Sequence, residues 1–119
     1  MPRIPDTSPQ TLRVFDALLS NPQAWRYGYE LSKETALASG TLYPILMRLA
    51  ERELLETRWE PASRPGLPPR HTYRLTADGA VLAAQRVAAR DAAAARAGAG
   101  KRIRQAKQAY SALFLGASS

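Results

Sequence analysis

There is no cysteine anywhere in the 119 residues, and the single histidine is His71. The first absence excludes disulfides, thiolate metal sites and cysteine nucleophiles together. The second leaves His71 without a partner for a histidine metal site or a Ser/His base pair. It reads as an ordinary strand residue in the alternating stretch Arg70-His71-Thr72-Tyr73-Arg74-Leu75. No glycine-rich phosphate loop follows a strand, no hydroxyl has a neighbouring base, and the carboxylates form no matched constellation. Catalytic, cofactor-binding and metal-binding residues are therefore expected to be none. Long apolar runs are missing as well. None approaches the roughly 18 residues a bilayer span requires, and the start Met1-Pro2-Arg3-Ile4-Pro5-Asp6 lacks an export-signal pattern. The expectation is a cytoplasmic protein with no membrane contact.

Acidic charge is sparse, at 10 residues against 17 basic ones, for a net +7. The imbalance is uneven along the chain: residues 1–20 are neutral, 21–60 carry −1, 61–80 carry +2 and 81–119 carry +6. A polyanionic partner fits the total. For the last third, a solvated basic helix face fits equally well.

The length suits one domain with a core. Ser8 can cap a helix with apolar positions Leu12, Phe15, Leu18 and Leu19, ended by Asn21-Pro22. Tyr27 to Thr35 reads as a short second helix, and a third begins near Ser39-Gly40-Thr41, so the pair forms a helix-turn-helix candidate. In the third helix, Leu42, Ile45, Leu46 and Leu49 make one apolar stripe. Pro44 is tolerable only near a helix start, which fixes the N-terminus at Ser39 to Thr41. Small residues there allow close approach to phosphate, and the amide end of the helix favours an anion. Plain capping by Ser39 and Thr41 is the competing account.

Leu54 to Glu60 and His71 to Leu75 alternate as two paired strands. The proline-rich loop between them projects Arg64 and Arg70 on a stiff tether, as a β-wing reaching a phosphate backbone or minor groove would. Thr76 and Asp78 start an alanine-rich fourth helix through about Arg96, which Gly98 and Gly100 are expected to interrupt. Beyond them Ile103, Ala106, Tyr110 and Leu113 recur at coiled-coil spacing. With Val81 and Leu82, these suggest a dimerisation seam, against the alternative that the last fifteen or so residues are frayed. The fold class is therefore mainly α with a small β-hairpin: a winged helix-turn-helix over 8–76 and a C-terminal helical dimerisation segment over 77–119.

The run Tyr27-Gly28-Tyr29-Glu30-Leu31, then Ser39-Gly40-Thr41-Leu42-Tyr43-Pro44-Ile45-Leu46, Arg48-Leu49 and Leu54-Leu55, closely resembles the PadR family, named for a phenolic-acid-responsive repressor. Trp59-Glu60, Tyr73-Arg74-Leu75-Thr76 and Gly79 are similar to the same pattern, so the likeness covers about residues 10 to 82. It implies a winged helix-turn-helix homodimer that represses genes from double-stranded DNA, and it leaves room for a small-molecule effector. Carried over by position, Tyr27, Ser39, Gly40, Thr41 and Tyr43 would approach phosphate and base edges, Pro44 would shape the helix entry and Arg48 would add a cation. Arg64 and Arg70 join them by chemistry more than by motif. Two departures stand out. Glu53 occupies a position usually held by glycine, which puts a left-handed helix exit in doubt, since that conformation costs a non-glycine residue about 1 kcal/mol. The tryptophans are Trp25 and Trp59, neither in the dimer-forming helix, which speaks against a drug-stacking site there. A winged helix that binds a protein partner, without specific DNA binding, remains the alternative, favoured by the near-neutral 21–60 segment.

Overall fold

The computed structural model describes residues 5–62 and 64–114. In chain order the described elements are α1 (Pro9–Leu19), β1 (Arg26–Tyr27), α2 (Gly28–Thr35), α3 (Ser39–Glu51), β2 (Leu55–Glu60), β3 (Arg70–Leu75) and α4 (Ala77–Phe114). The chain divides into two compact units, residues 1–87 and 88–119.

Capping chemistry starts α1 where the sequence placed it. Ser8 Oγ accepts from the Thr11 amide at 3.2 Å, and Pro9 sits at a position where a missing amide costs nothing. Phe15, Leu18 and Val14 are fully buried against Leu31 of α2 and the stripe Leu42, Ile45, Leu46 and Leu49 of α3. The buried Arg26 binds the α1 end to α2: its guanidinium donates to the Ala17 carbonyl at 2.9 Å and pairs with Glu34. Arg13 repeats the device, donating to the Thr35 carbonyl at 3.1 Å. Between α2 and α3 the turn passes through Ala36 in the left-handed region (φ 58°) and buries Leu37, whose carbonyl accepts from Ser32 Oγ.

The hairpin is part of a three-stranded antiparallel sheet in the order β1-β3-β2. Alternation could not reveal β1, because two residues have no period. Its pairing of Arg26 with Tyr73 and Tyr27 with Thr72 anchors the hairpin to the start of α2. In β2 and β3, the register sets Leu55 opposite Leu75, Thr57 opposite Tyr73 and Trp59 opposite His71 on one face. Glu56 faces Arg74 and Glu60 faces Arg70 on the other.

Three expectations need correction. Glu53 does adopt the left-handed exit, at φ 58°. The chain folds back so that the Leu54 amide reaches the Leu49 carbonyl at 2.9 Å and the Glu53 amide reaches Ala50 at 3.0 Å, satisfying carbonyls the helix would otherwise orphan. Second, α4 runs unbroken through Gly98 and Gly100. Each glycine costs about 1 kcal/mol relative to alanine, but the surrounding run is the best helix-forming composition available. Third, Arg70 is not on the loop: it is the first residue of β3, paired with Glu60.

The α4 start is tightly specified. Thr76 Oγ1 accepts from the Gly79 amide at 2.9 Å and donates to the Glu53 carbonyl at 2.8 Å. A Cβ on Gly79 would stand 1.9 Å from the Leu54 carbonyl oxygen, so the helix can lie on that backbone only with glycine there. Ala83 is buried, and Leu82 and Val87 pack on the core, whereas Val81 is exposed. In the second unit, Ile103, Tyr110 and Leu113 are all exposed.

Candidate nucleic-acid interface

The amide end of α3 is open. Ala38 is the cap residue and provides no side-chain hydrogen bond, so the competing account of capping by Ser39 and Thr41 does not hold. Ser39, Gly40 and Thr41 are instead the first three helical residues, all exposed. A Cβ at Gly40 would meet nothing within 4 Å, so an incoming group can approach the backbone closely there. The helix dipole and the first-turn amides together make this end suited to a phosphate. Pro44 falls in the second turn, past the amides that lack partners anyway. Its missing N–H leaves the Gly40 carbonyl without its usual partner, and any bend is confined to the turn that precedes it.

Tyr43 links α3 to its neighbours. A Cβ on Gly28 would lie 2.4 Å from the Tyr43 hydroxyl, so glycine at the first position of α2 is what admits the ring. One hollow of about 450 Å³ lies between this ring and Tyr27, Tyr29, Arg70 and His71. A second, of about 640 Å³, lies between α3 and the hairpin, lined by Tyr43, Met47, Glu51, Trp59, His71 and Tyr73. The hairpin wall is an aromatic ladder. Trp59 and His71 stack at 4.4 Å and 7° between planes, and the Tyr73 hydroxyl lies 3.2 Å from His71 Nδ1. His71 is thus a strand residue, as its isolation in the sequence suggested, and no metal-binding cluster occurs among the described residues.

Tyr27 and Arg70 form the root of the wing. The Tyr27 hydroxyl donates to Glu60 at 2.8 Å, and the Arg70 guanidinium lies 5.0 Å from the Tyr27 ring centre. The hydrogen bond to Glu60 pushes the Tyr27 hydroxyl above its ordinary pKa, and Glu60 is held below the usual carboxylate range chiefly by Arg58. Arg64 is exposed on the loop, which turns through Gly66 at φ +87°. Further along the sheet face of Glu60 and Arg70, away from the aromatic ladder, Arg58 and Arg74 lie over the Trp25 ring, at 4.2 and 4.4 Å from its centre. Arg48 is exposed on α3, beside Arg52, which pairs with Asp6.

The structure thus gathers Tyr27, Ser39, Gly40, Thr41, Tyr43 and Pro44 around the α3 start, with Arg70 at the wing root, whereas Arg48 lies in the last turn of α3 beside Arg52 and Asp6. Sequence reasoning left out Met47, Trp59 and Tyr29, three exposed apolar side chains lining the same two hollows. An apolar residue on the polar side of the α3 stripe was the available signal for Met47.

The model of the PadR-like family of transcriptional regulators matches residues 17–85, more than half of the chain. The chain belongs to that family. PadR-like proteins are regulators rather than enzymes, and the matched stretch runs from the end of α1 into α4. Among solved structures, a Streptococcus transcriptional regulator is 25% identical with a TM-score of 0.59, covering 74% of this chain and 87% of its own. A PadR-like transcription factor from Bacteroides fragilis is 23% identical with a TM-score of 0.51, over 81% of this chain and 90% of its own. MepR, a transcription regulator of the Staphylococcus aureus multidrug efflux pump MepA, is 16% identical with a TM-score of 0.63, over 96% and 82%. The latter two attest to the winged-helix fold alone. No curated protein sequence matches this PadR-like chain. Among its described residues, no helix is long and apolar enough to cross a membrane.

Proposed function

We propose that this PadR-like chain is a sequence-specific repressor that binds a pseudo-palindromic operator as a homodimer. Residues 8–76 carry the DNA contacts and 77–119 pair the subunits. The observation that supports it most is the α3 start: uncapped by any side chain, built of Ser39, Gly40 and Thr41, and placed beside a wing bearing Arg64 and Arg70. Helix amides and small residues at that end suit the major groove, where a recognition helix places its first turns. Half-sites would then lie about 34 Å apart or a multiple of it.

Pairing falls to α4. Val81, Ala84, Ala88, Ala92, Ala95, Ala99, Ile103, Ala106, Tyr110 and Leu113 recur every three or four residues, and most of the arginines and lysines lie off this stripe. Read antiparallel about residue 97, the stripe complements itself: Val81 meets Leu113, Ala84 meets Tyr110 and Ala88 meets Ala106. Tyr110 thus faces the small Ala84.

Fluorescence anisotropy on the duplex upstream of the chain's own gene, against a scrambled duplex at two salt concentrations, tests the reading. Binding to the first that is tighter by roughly a thousandfold or more supports it. Equal binding that collapses with salt means electrostatic attraction only. Weak binding to every duplex favours the alternative, a module whose exposed Met47 and Trp59 face a protein partner.

A further inference from the structure

An α-helix that shows water one face normally makes that face polar. The exposed side of α3 is polar at Thr41, Tyr43, Arg48 and Glu51 but carries an apolar strip between them. Directly opposite the buried stripe Leu42, Ile45, Leu46 and Leu49 run Gly40, Pro44 and Met47, at the i, i+4, i+7 spacing of one helix face, and the ridge ends at the exposed Glu51 in the last turn. Met47 is 61% exposed. Polar groups stand on the flanks: Thr41 and Arg48 to one side, Ser39 and Tyr43 to the other.

This arrangement fits the major groove in a particular way. If α3 enters by the exposed face of its N-terminal turns, the ridge that goes deepest is the one opposite the core, and Glu51 in the last turn is its one hydrogen-bonding side chain. Bidentate recognition of guanine needs Arg or Lys, and of adenine Asn or Gln. The ridge has neither, and Arg48 sits on the flank, where it would reach the phosphates. The apolar feature that base pairs present in the major groove is the thymine 5-methyl group. Gly40, with no side chain and open space around it, lets the ridge come close enough to touch it.

Resting on the DNA-binding reading above, we propose that Pro44 and Met47 form an apolar ridge that reads thymine methyl groups, so that each half-site is recognised through thymine more than through guanine or adenine hydrogen bonds. Met47 is the specificity-determining residue, and Pro44 stiffens the turn that presents it.

The test begins with a random 20-base-pair duplex library selected on the full chain. Thymines of the enriched half-site are then replaced one at a time by deoxyuridine, which keeps base pairing and removes only the methyl. Burial of one methyl group predicts binding roughly threefold to tenfold weaker at one or two of these positions. Met47→Ala should bind the thymine and deoxyuridine duplexes equally, while Met47→Leu should retain the discrimination. Because Met47 is exposed, an unchanged Tm for Met47→Ala is expected and separates lost contact from lost fold. A selected site insensitive to every deoxyuridine replacement, or a Met47→Ala chain as sensitive as the parent, overturns the ridge and leaves specific binding standing. A library that enriches nothing overturns specific binding, and the ridge with it.

Discussion

The two units of this chain spend their residues in opposite ways. Residues 1–87 hold the apolar core, with Phe15, Leu18, Leu31, Leu42, Leu46 and Leu49 fully buried, and their charges are mostly paired or stacked. Residues 88–114 are the rest of α4, dominated by alanine, arginine and lysine, with Ile103, Tyr110 and Leu113 exposed. Most of the net positive charge lies in the second region, +5 against +2, while the helix-turn-helix lies in the first. Net charge therefore indicates that a polyanion is attracted, and it does not point to the residues that would read one.

Glycine gives the sharpest break between the two. Gly79→Ala should destabilise the first unit by about 3 kcal/mol or more, because the new Cβ would stand 1.9 Å from the Leu54 carbonyl oxygen and backbone must move. Gly98→Ala, with only the Arg102 side chain within reach, should instead raise helix stability by about 1 kcal/mol. Thermal melts of both variants, read with the parent, check the opposite signs. If both variants melt as the parent does, α4 does not lie on Leu54.

Pairing through the second region comes next in size. Leu113→Asp should turn the proposed dimer into monomers in sedimentation at micromolar concentration, with the melting of the first unit little changed. Since the chain has no cysteine of its own, register can be trapped directly. Val81→Cys together with Leu113→Cys should cross-link on oxidation under the antiparallel pairing, and neither single variant should. Cross-linking by Leu113→Cys alone would mean a parallel seam.

What the sequence made legible follows the same division. Helices α1 to α3 were readable because each has a buried face whose period shows in the residues, as with Leu42, Ile45, Leu46 and Leu49, and the hairpin because its residue types alternate although β2 is buried only at Leu55. Where tertiary contacts decide, local rules failed. β1 was invisible because its two residues pair only once β3 is in place. Glu53 takes a conformation glycine would prefer because the Schellman-type bonds to Leu49 and Ala50, and the Thr76 hydroxyl on its carbonyl, hold it there. The candidate site divides likewise: Ser39 to Pro44 could be placed from the motif, but Met47 and Trp59 came together only through packing. Glu53→Gly should accordingly stabilise the first unit by up to about 1 kcal/mol, as left-handed strain is relieved and unfolded-chain entropy offsets part of it. A lower Tm would show that the Glu53 side chain does more than tolerate its backbone.

The smallest effect is expected at the wing root, where the first unit does place charges in water. Glu60 accepts from Arg58 and from the Tyr27 hydroxyl, both at 2.8 Å, and its carboxyl is held below the ordinary range, first by Arg58 and then by Tyr27. A depressed carboxyl pKa contributes stability that is present above the unfolded value and lost as pH falls through the folded one. For Tyr27 the sign is opposite: its raised pKa contributes below the ordinary phenol value near 10 and is lost as pH rises through the folded one. Both contributions are in place at neutral pH, so the wing root should be indifferent to pH across the physiological range and loosen only in acid or strong base. Carboxyl titration by NMR should show the Glu60 midpoint rising toward the ordinary range in Arg58→Ala and rising less in Tyr27→Phe. The reverse order would make the tyrosine, which also lies under Arg70, the main anchor of the wing and its hydroxyl unavailable to any DNA phosphate.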